Sequence, residues 1–215
     1  MTGGRENADS NRSALLSRLD IADWERAIRE RTGGSKTNAA PALLNQWNPP
    51  DCGKIDIKIA PDGAWYYRDG PITRHSLVRL FASILRREND GVYYLVTPVE
   101  KFAIEVTDAP FLGVELKVEQ KGESSRQKLY FRTNVDDIVC VNKEHPIRFD
   151  GDPATEGLRP YFIVRNHLEA LVTRSLYYDL VELAVEESVG DINKLGIWSS
   201  GTFFPMATAQ FDSEL

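Results

Sequence analysis

The sequence predicts an α+β protein built of two small related units. Three observations carry that prediction. Residues 54–60 read KIDIKIA, a period-two alternation, and a Pro-Asp-Gly turn sends the chain back through AWYYR, the pattern of a half-buried hairpin. Leu77, Val78, Phe81, Ile84 and Leu85 then recur at helical spacing. Finally, the order strand, strand, helix, strand over 54–97 returns as strands, helix, strand over 138–204.

Taken in order, residues 1–13 hold too few apolar groups to offset the entropy of ordering and are expected to be disordered. Residues 13–31 place Leu16, Leu19, Trp24, Ala27 and Ile28 on one side of a helix, which Thr32, Gly33 and Gly34 end. This amphipathic helix reads as an appendage in a 1–40 segment. The core begins at Trp47, where Pro49 and Pro50 impose an extended course. After the first hairpin, Thr73 is placed to cap a helix over 74–88, stopped by Asn89, Asp90 and Gly91. Residues 92–97 (VYYLVT) form a strand that Pro98 breaks. Consecutive strands are expected at 102–106, 111–120, 129–133, 138–141, 147–149 and 161–164, with a hairpin loop at 121–125. Asn166 is then placed to cap a long helix over 167–188, and a last strand runs over 197–204 before a frayed tail. The expected division is 1–40, an N-terminal α+β unit over 41–101, and a C-terminal unit over 102–215 made of a meander sheet or partial barrel with one long helix.

Composition narrows the function classes. With 26 Lys and Arg against 32 Asp and Glu, the chain carries a net charge of -6, which argues against general binding to DNA, RNA or an anionic membrane. The acidity lies in 111–215, which sums to -6, whereas 1–40 sums to +1 and 41–110 to -1. No stretch of apolar residues is long enough to span a bilayer, and the polar first residues lack a secretory h-region. Cys52 and Cys140 match no metal or redox spacing, so a cytoplasmic location with reduced thiols is expected.

The sequence contains no phosphate-binding loop, dinucleotide fingerprint, zinc-protease motif, nucleophile elbow or calcium loop. Ser125-x-x-Lys128 falls in a hairpin loop, where an acylating serine would not share a helical face with its lysine. His75, His145 and His167 are too dispersed for a local metal pair, so neither metal nor cofactor is expected. Asp136 and Asp137 could reach one ion only from a turn, since neighbours on a strand face opposite ways; a hydrogen-bonded turn made by Thr133 and Asn134 is the plainer reading. His75, Arg79 and Arg86 would share one face of the 74–88 helix, a positive stripe suited to a phosphate or simply a solvated face. The pairs Tyr66-Tyr67 and Tyr93-Tyr94 fit either outward stacking platforms or plain strand propensity.

The segments WNPPDCGKIDIKIAPDGAWYYRDGPI, VRLFASILRRENDGVYYLVTPVEK, FRTNVDD, HPIRF and PYFIVRNHLEAL, in this order, resemble a bacterial family known as domain of unknown function 1285, over about 47–204. The resemblance implies a duplicated core, a C-terminal half superficially like a pleckstrin-homology domain, a ligand site between the domains, a nucleotide-like ligand and a role in signal transduction. It carries no catalytic residues. Lys58 stands where the family leads one to expect arginine, which removes a bidentate contact.

Together these readings predict a cytoplasmic, non-enzymatic binding or sensor protein with a polar inter-domain cleft for a small anionic, nucleotide-like ligand. Its candidate ligand-binding residues are Arg74, Thr97, Glu100, Lys101, Thr133, Asn134, Asp137 and Arg165. The alternative is a protein-interaction module that docks a protein partner without a small ligand. An enzyme using Asp137 and His145 ranks last.

Overall fold

The computed structural model describes residues 44, 46–153, 155, 157–189 and 192–206. The disorder expected over 1–13, the helix expected over 13–31 and the frayed tail expected at the C-terminal end, beyond 206, lie outside the described residues.

The chain divides into two compact units between Asp108 and Ala109. In the first unit, β1 (Asp51–Ile59), β2 (Trp65–Tyr67) and β3 (Gly70–Pro71) form one antiparallel meander. Helix α1 (His75–Ser83) follows, and β4 (Leu85–Arg87), β5 (Tyr93–Val96) and β6 (Lys101–Val106) form a second. The two meanders join where β1 runs parallel to β6, so the sheet order is β3-β2-β1-β6-β5-β4. The KIDIKIA alternation does what its period demands: Ile57 and Ile59 are buried while Asp56 and Lys58 face solvent. Trp65 stacks on Phe81 with ring centroids 6.1 Å apart, which seals α1 onto the sheet.

The second unit repeats the plan. Strands β7 (Phe111–Glu119), β8 (Lys128–Thr133) and β9 (Ile138–Cys140) form one meander, and β10 (Ile147–Gly151), β11 (Leu158–Arg165) and β12 (Leu168–Val172) another. Here β7 runs parallel to β12, giving the order β10-β11-β12-β7-β8-β9. In both sheets the order is third, second, first, sixth, fifth, fourth. This shared topology is the evidence for duplication. Helix position differs between the units: α1 lies between the third and fourth strands, whereas α2 (Arg174–Val181) follows the sixth. After α2, β13 (Val185–Val189), β14 (Ile192–Ser199) and β15 (Thr202–Pro205) form a three-stranded sheet without a counterpart among the described residues of the first unit.

Several sequence expectations are corrected. The helix over 74–88 ends at Ser83, because Leu85, Arg86 and Arg87 pair with Leu95, Tyr94 and Tyr93 as strand β4. Apolar residues at Leu77, Phe81 and Leu85 suit a helical ridge, and the ladder to β5 wins over it. The positive stripe is therefore broken, since Arg79 is helical and Arg86 is not. The long helix over 167–188 becomes β12, α2 and β13. Asn166 does not cap it: with φ 48° it turns β11 into β12, and Leu168, Ala170 and Val172 then point inward at period two. The pleckstrin-like expectation thus loses its long helix. The single strand over 197–204 is a hairpin, turned by Ser200 and Gly201, both at positive φ. Strand β6 belongs to the first sheet, so the division falls after it, at Asp108, and not at 101. No helix among the described residues is long and apolar enough to cross a membrane.

The third sheet is held to the second by side chains acting as ladder partners. Ser199 Oγ accepts a hydrogen bond from Leu129 N (3.0 Å) and donates to Val141 O (2.6 Å), while Gln127 Nε2 donates to Trp198 O (2.8 Å). Inside the second unit, Phe131 and Phe162 stack at 4.6 Å over Gly113, on the strand that pairs with β12. A Cβ on Gly113 would lie 2.8 Å from Phe162 Cε1 and 3.4 Å from Phe131 Cδ1. Gly113→Ala is therefore expected to lower unfolding stability by about 1–3 kcal/mol through overpacking, read as a lower urea midpoint at unchanged m-value.

Candidate functional site

Of the eight residues singled out from sequence, Arg74, Thr97, Glu100 and Lys101 belong to the first unit, and Thr133, Asn134, Asp137 and Arg165 to the second.

Arg74 is the exposed residue that opens α1, with extended backbone and no side-chain cap. Thr97 is consumed by its own turn: its N–H donates to Glu100 O (2.9 Å), its Oγ1 donates to the same oxygen (3.1 Å), and Glu100 N donates back to Oγ1 (3.2 Å). That turn closes the β5–β6 hairpin and places Lys101 at the start of β6. Lys101 Nζ lies 2.6 Å from Glu88 and 4.5 Å from the centre of the Tyr94 ring. Glu88 also pairs with Arg86, whose Nη1 donates to Leu44 O (3.2 Å) and Trp47 O (2.7 Å). Burial pushes the Glu88 carboxyl up, but the hydrogen bonds from Lys101 and Arg86 outweigh it and hold the group below its ordinary value. Burial and the bond to Asp90 (3.1 Å) both push the Tyr94 phenol up. This cluster borders an open depression of about 410 Å3 lined by Asn48, Arg86, Arg87, Glu88, Asn89 and Asp90.

In the second unit the Thr133–Asp137 turn and Arg165 meet through an ion pair. Thr133 is fully buried, and its Oγ1 accepts from Val135 N (3.3 Å) and Asp137 N (3.0 Å). Asn134 donates its N–H to Leu112 O (2.9 Å) and accepts Leu112 N on Oδ1 (3.0 Å), so it extends the β7–β8 ladder beyond the end of β8. Arg165 Nη1 reaches Asp137 Oδ2 at 2.5 Å, with its guanidinium 5.0 Å from the centre of the Phe111 ring. In a flat sheet β11 and β8 would stand roughly 14 Å apart, three strand spacings. The pair can close only because this end of the sheet curls. Asp136 turns away to Arg132 (3.1 Å) at φ 67°, so the two aspartates serve two different arginines and do not share an ion. No group of three or more metal-ligating side chains occurs among the described residues. His145 Nδ1 faces Ile163 O at 3.1 Å while Asp137 is engaged by Arg165.

These cations already have carboxylates and aromatic rings as partners, which suits a clasp better than a ligand site. A different cavity of the second unit also collects polar groups. It measures about 150 Å3, between the β10–β11 loop, the end of β12 and α2, and its walls include Asp152, Thr155, Arg159, Leu171, Arg174, Tyr177 and Tyr178. Thr173 N donates to Gly113 O (3.1 Å), which anchors the start of α2 beside β7. Tyr178 accepts a hydrogen bond from Arg174 and thereby favours the charged guanidinium. The Tyr177 and Tyr178 rings lie 5.7 Å apart, and Tyr178 is 56% exposed. Sequence reasoning missed this cavity because it merged this stretch into one long helix over 167–188. The available signal was Arg174 and a tyrosine pair within four residues.

Two family models match the chain: domain of unknown function (DUF1285), N-terminal domain, over residues 42–109, and protein of unknown function (DUF1285), C-terminal domain, over 110–206. A crystal structure of a DUF1285 family protein from Silicibacter pomeroyi DSS-3 is similar at 47% identity, covering 79% of this chain and 88% of that one, with a TM-score of 0.71. Another, from Shewanella baltica OS155, shares 27% identity, covers 60% of this chain and 91% of that one, and has a TM-score of 0.46. No curated protein matches.

Because the Glu88 carboxyl titrates below its ordinary value of 4.5, its pairing stabilises the fold fully above that pH and the contribution is lost as pH falls through the lowered value. Glu88→Gln is expected to lower the urea midpoint at pH 7, with the gap from the unsubstituted protein narrowing as pH falls below 4.5.

Proposed function

The chain belongs to the DUF1285 family, and we propose that it is a cytoplasmic, non-enzymatic binding or sensor protein whose ligand presents a small anionic group to the α2 cavity. The observation that carries this reading is the meeting of Arg159 and Arg174 with two tyrosines in one recess. Asp152 contributes one opposing charge, so the recess favours a singly or doubly charged anion over a cation.

Size decides the ligand class. About 150 Å3 is below the 300–1,000 Å3 range of sites that enclose a drug-sized molecule. One phosphate or carboxylate fits. A nucleotide-like ligand would place a phosphate inside and its base against the exposed Tyr178 ring, since stacking tolerates any base.

The residues first singled out remain the competing location, with Lys101 and Arg165 as its cations. Calorimetric titration with inorganic phosphate and with a nucleoside monophosphate separates the two. Arg159→Ala and Arg174→Ala are each expected to weaken binding about tenfold, roughly 1.4 kcal/mol, while Lys101→Ala and Arg165→Ala leave it unchanged. The reverse pattern would return the site to the clasps, and no binding of either anion would remove the small-ligand reading.

A further inference from the structure

The three-stranded sheet ends on β13, and among the described residues no strand pairs with its outer edge. Val185 on β13 and Ile192 and Leu195 on β14 are exposed apolar side chains of this sheet. An open and accessible edge is ordinarily a liability that proteins suppress.

The register tells which main-chain groups are available. Val189 pairs with Ile192 across the two-residue connection, and Glu187 pairs with Lys194 and Val185 with Gly196. In such a hairpin these alternate pairs carry the ladder bonds, so the N–H and C=O of Glu186 and Ser188 point away from β14. Beside the edge lies a recess of about 120 Å3 whose walls include Val185, Leu183, Trp198, Glu182 and Lys121. Trp198 Nε1 donates to Glu187 Oε1 at 3.0 Å, so the carboxylate is held next to the indole. Between 174 and 199 the sequence places Asp179, Glu182, Glu186, Glu187 and Asp191 against Arg174 and Lys194.

We infer that β13 is a docking edge for an extended, basic segment of a partner protein, which adds as a fourth strand with one Lys or Arg side chain seated in the recess. Main-chain bonds to Glu186 and Ser188 supply the affinity; the recess supplies selectivity, with Val185 and Trp198 along the aliphatic stem and Glu182 near the cationic head. A second copy of β13 does not fit this role, because it would bring Glu186 and Glu187 against their own kind.

The test uses the full chain and three synthetic octapeptides: alternating Lys and Val, alternating Glu and Val, and the Lys-Val peptide with a central proline. The Lys-Val peptide is expected to bind and to slow amide exchange at Glu186 and Ser188, with at least tenfold weaker binding for each of the other two. Glu186→Pro removes one outward donor at an edge position that tolerates proline, and Glu182→Lys inverts the charge at the recess. Each is expected to weaken binding at least tenfold while the thermal melt shows a folded protein. Absence of binding, equal binding of the proline-interrupted peptide, or unchanged affinity in a folded Glu186→Pro protein would each overturn the inference.

Discussion

Each unit depends on one pairing, the parallel contact between its first and sixth strands. Hairpins assemble the meanders from neighbours in sequence, but nothing local holds one meander to the other. In the first unit that join is β1 with β6, and in the second β7 with β12. A parallel pair cannot be closed by a tight turn, so each unit must complete four intervening strands before its sheet is continuous. The second join shows how narrow the tolerance is. Gly113 lies on it, and the Phe131–Phe162 stack fills the space that any larger side chain would take. The start of α2 hangs from the same glycine through Thr173.

Duplication has reproduced topology without chemistry. The ion cluster of the first unit involves the ends of β4 and β6, whereas the Asp137–Arg165 clasp involves the turn before β9 and the end of β11. These are not equivalent places in the shared strand order. Both use a cation lying on an aromatic face with a carboxylate beside it, which is a general way of lowering the penalty for half-burying charge. The second unit alone appends α2 and a third sheet to its six strands, and these additions border both its small cavity and its open acidic edge.

Polar residues in turns attracted attention in the sequence because turn and ligand roles call on the same residue types. Thr97 and Thr133 bond the backbone of their own turns, and Asn134 bonds Leu112 on the neighbouring strand. Asp137 and Arg165, far apart in sequence, meet as an ion pair that only the folded sheet brings together. The cavity beside α2 was not legible. Its walls come from β11, β12, α2 and the β10–β11 loop, and no spacing rule links Arg159 to Arg174.

What the sequence determined by itself is whatever is settled within a few residues. KIDIKIA buries alternate isoleucines in any context that covers one face, Pro-Asp-Gly and Asn-Asp-Gly turn the chain, and the acid excess sits in the later half. Three segments had two local solutions of similar worth. Leu85 completes a helical ridge or pairs in a ladder; Asn166 caps a helix or turns a hairpin; Ser200-Gly201 interrupts a strand or reverses it. Tertiary structure chose the second in every case, because β4 finds β5, β12 finds both β11 and β7, and the Ser199 hydroxyl finds Leu129 and Val141. Local propensities differ by fractions of a kcal/mol, whereas a buried strand left without partners would forfeit a row of backbone hydrogen bonds.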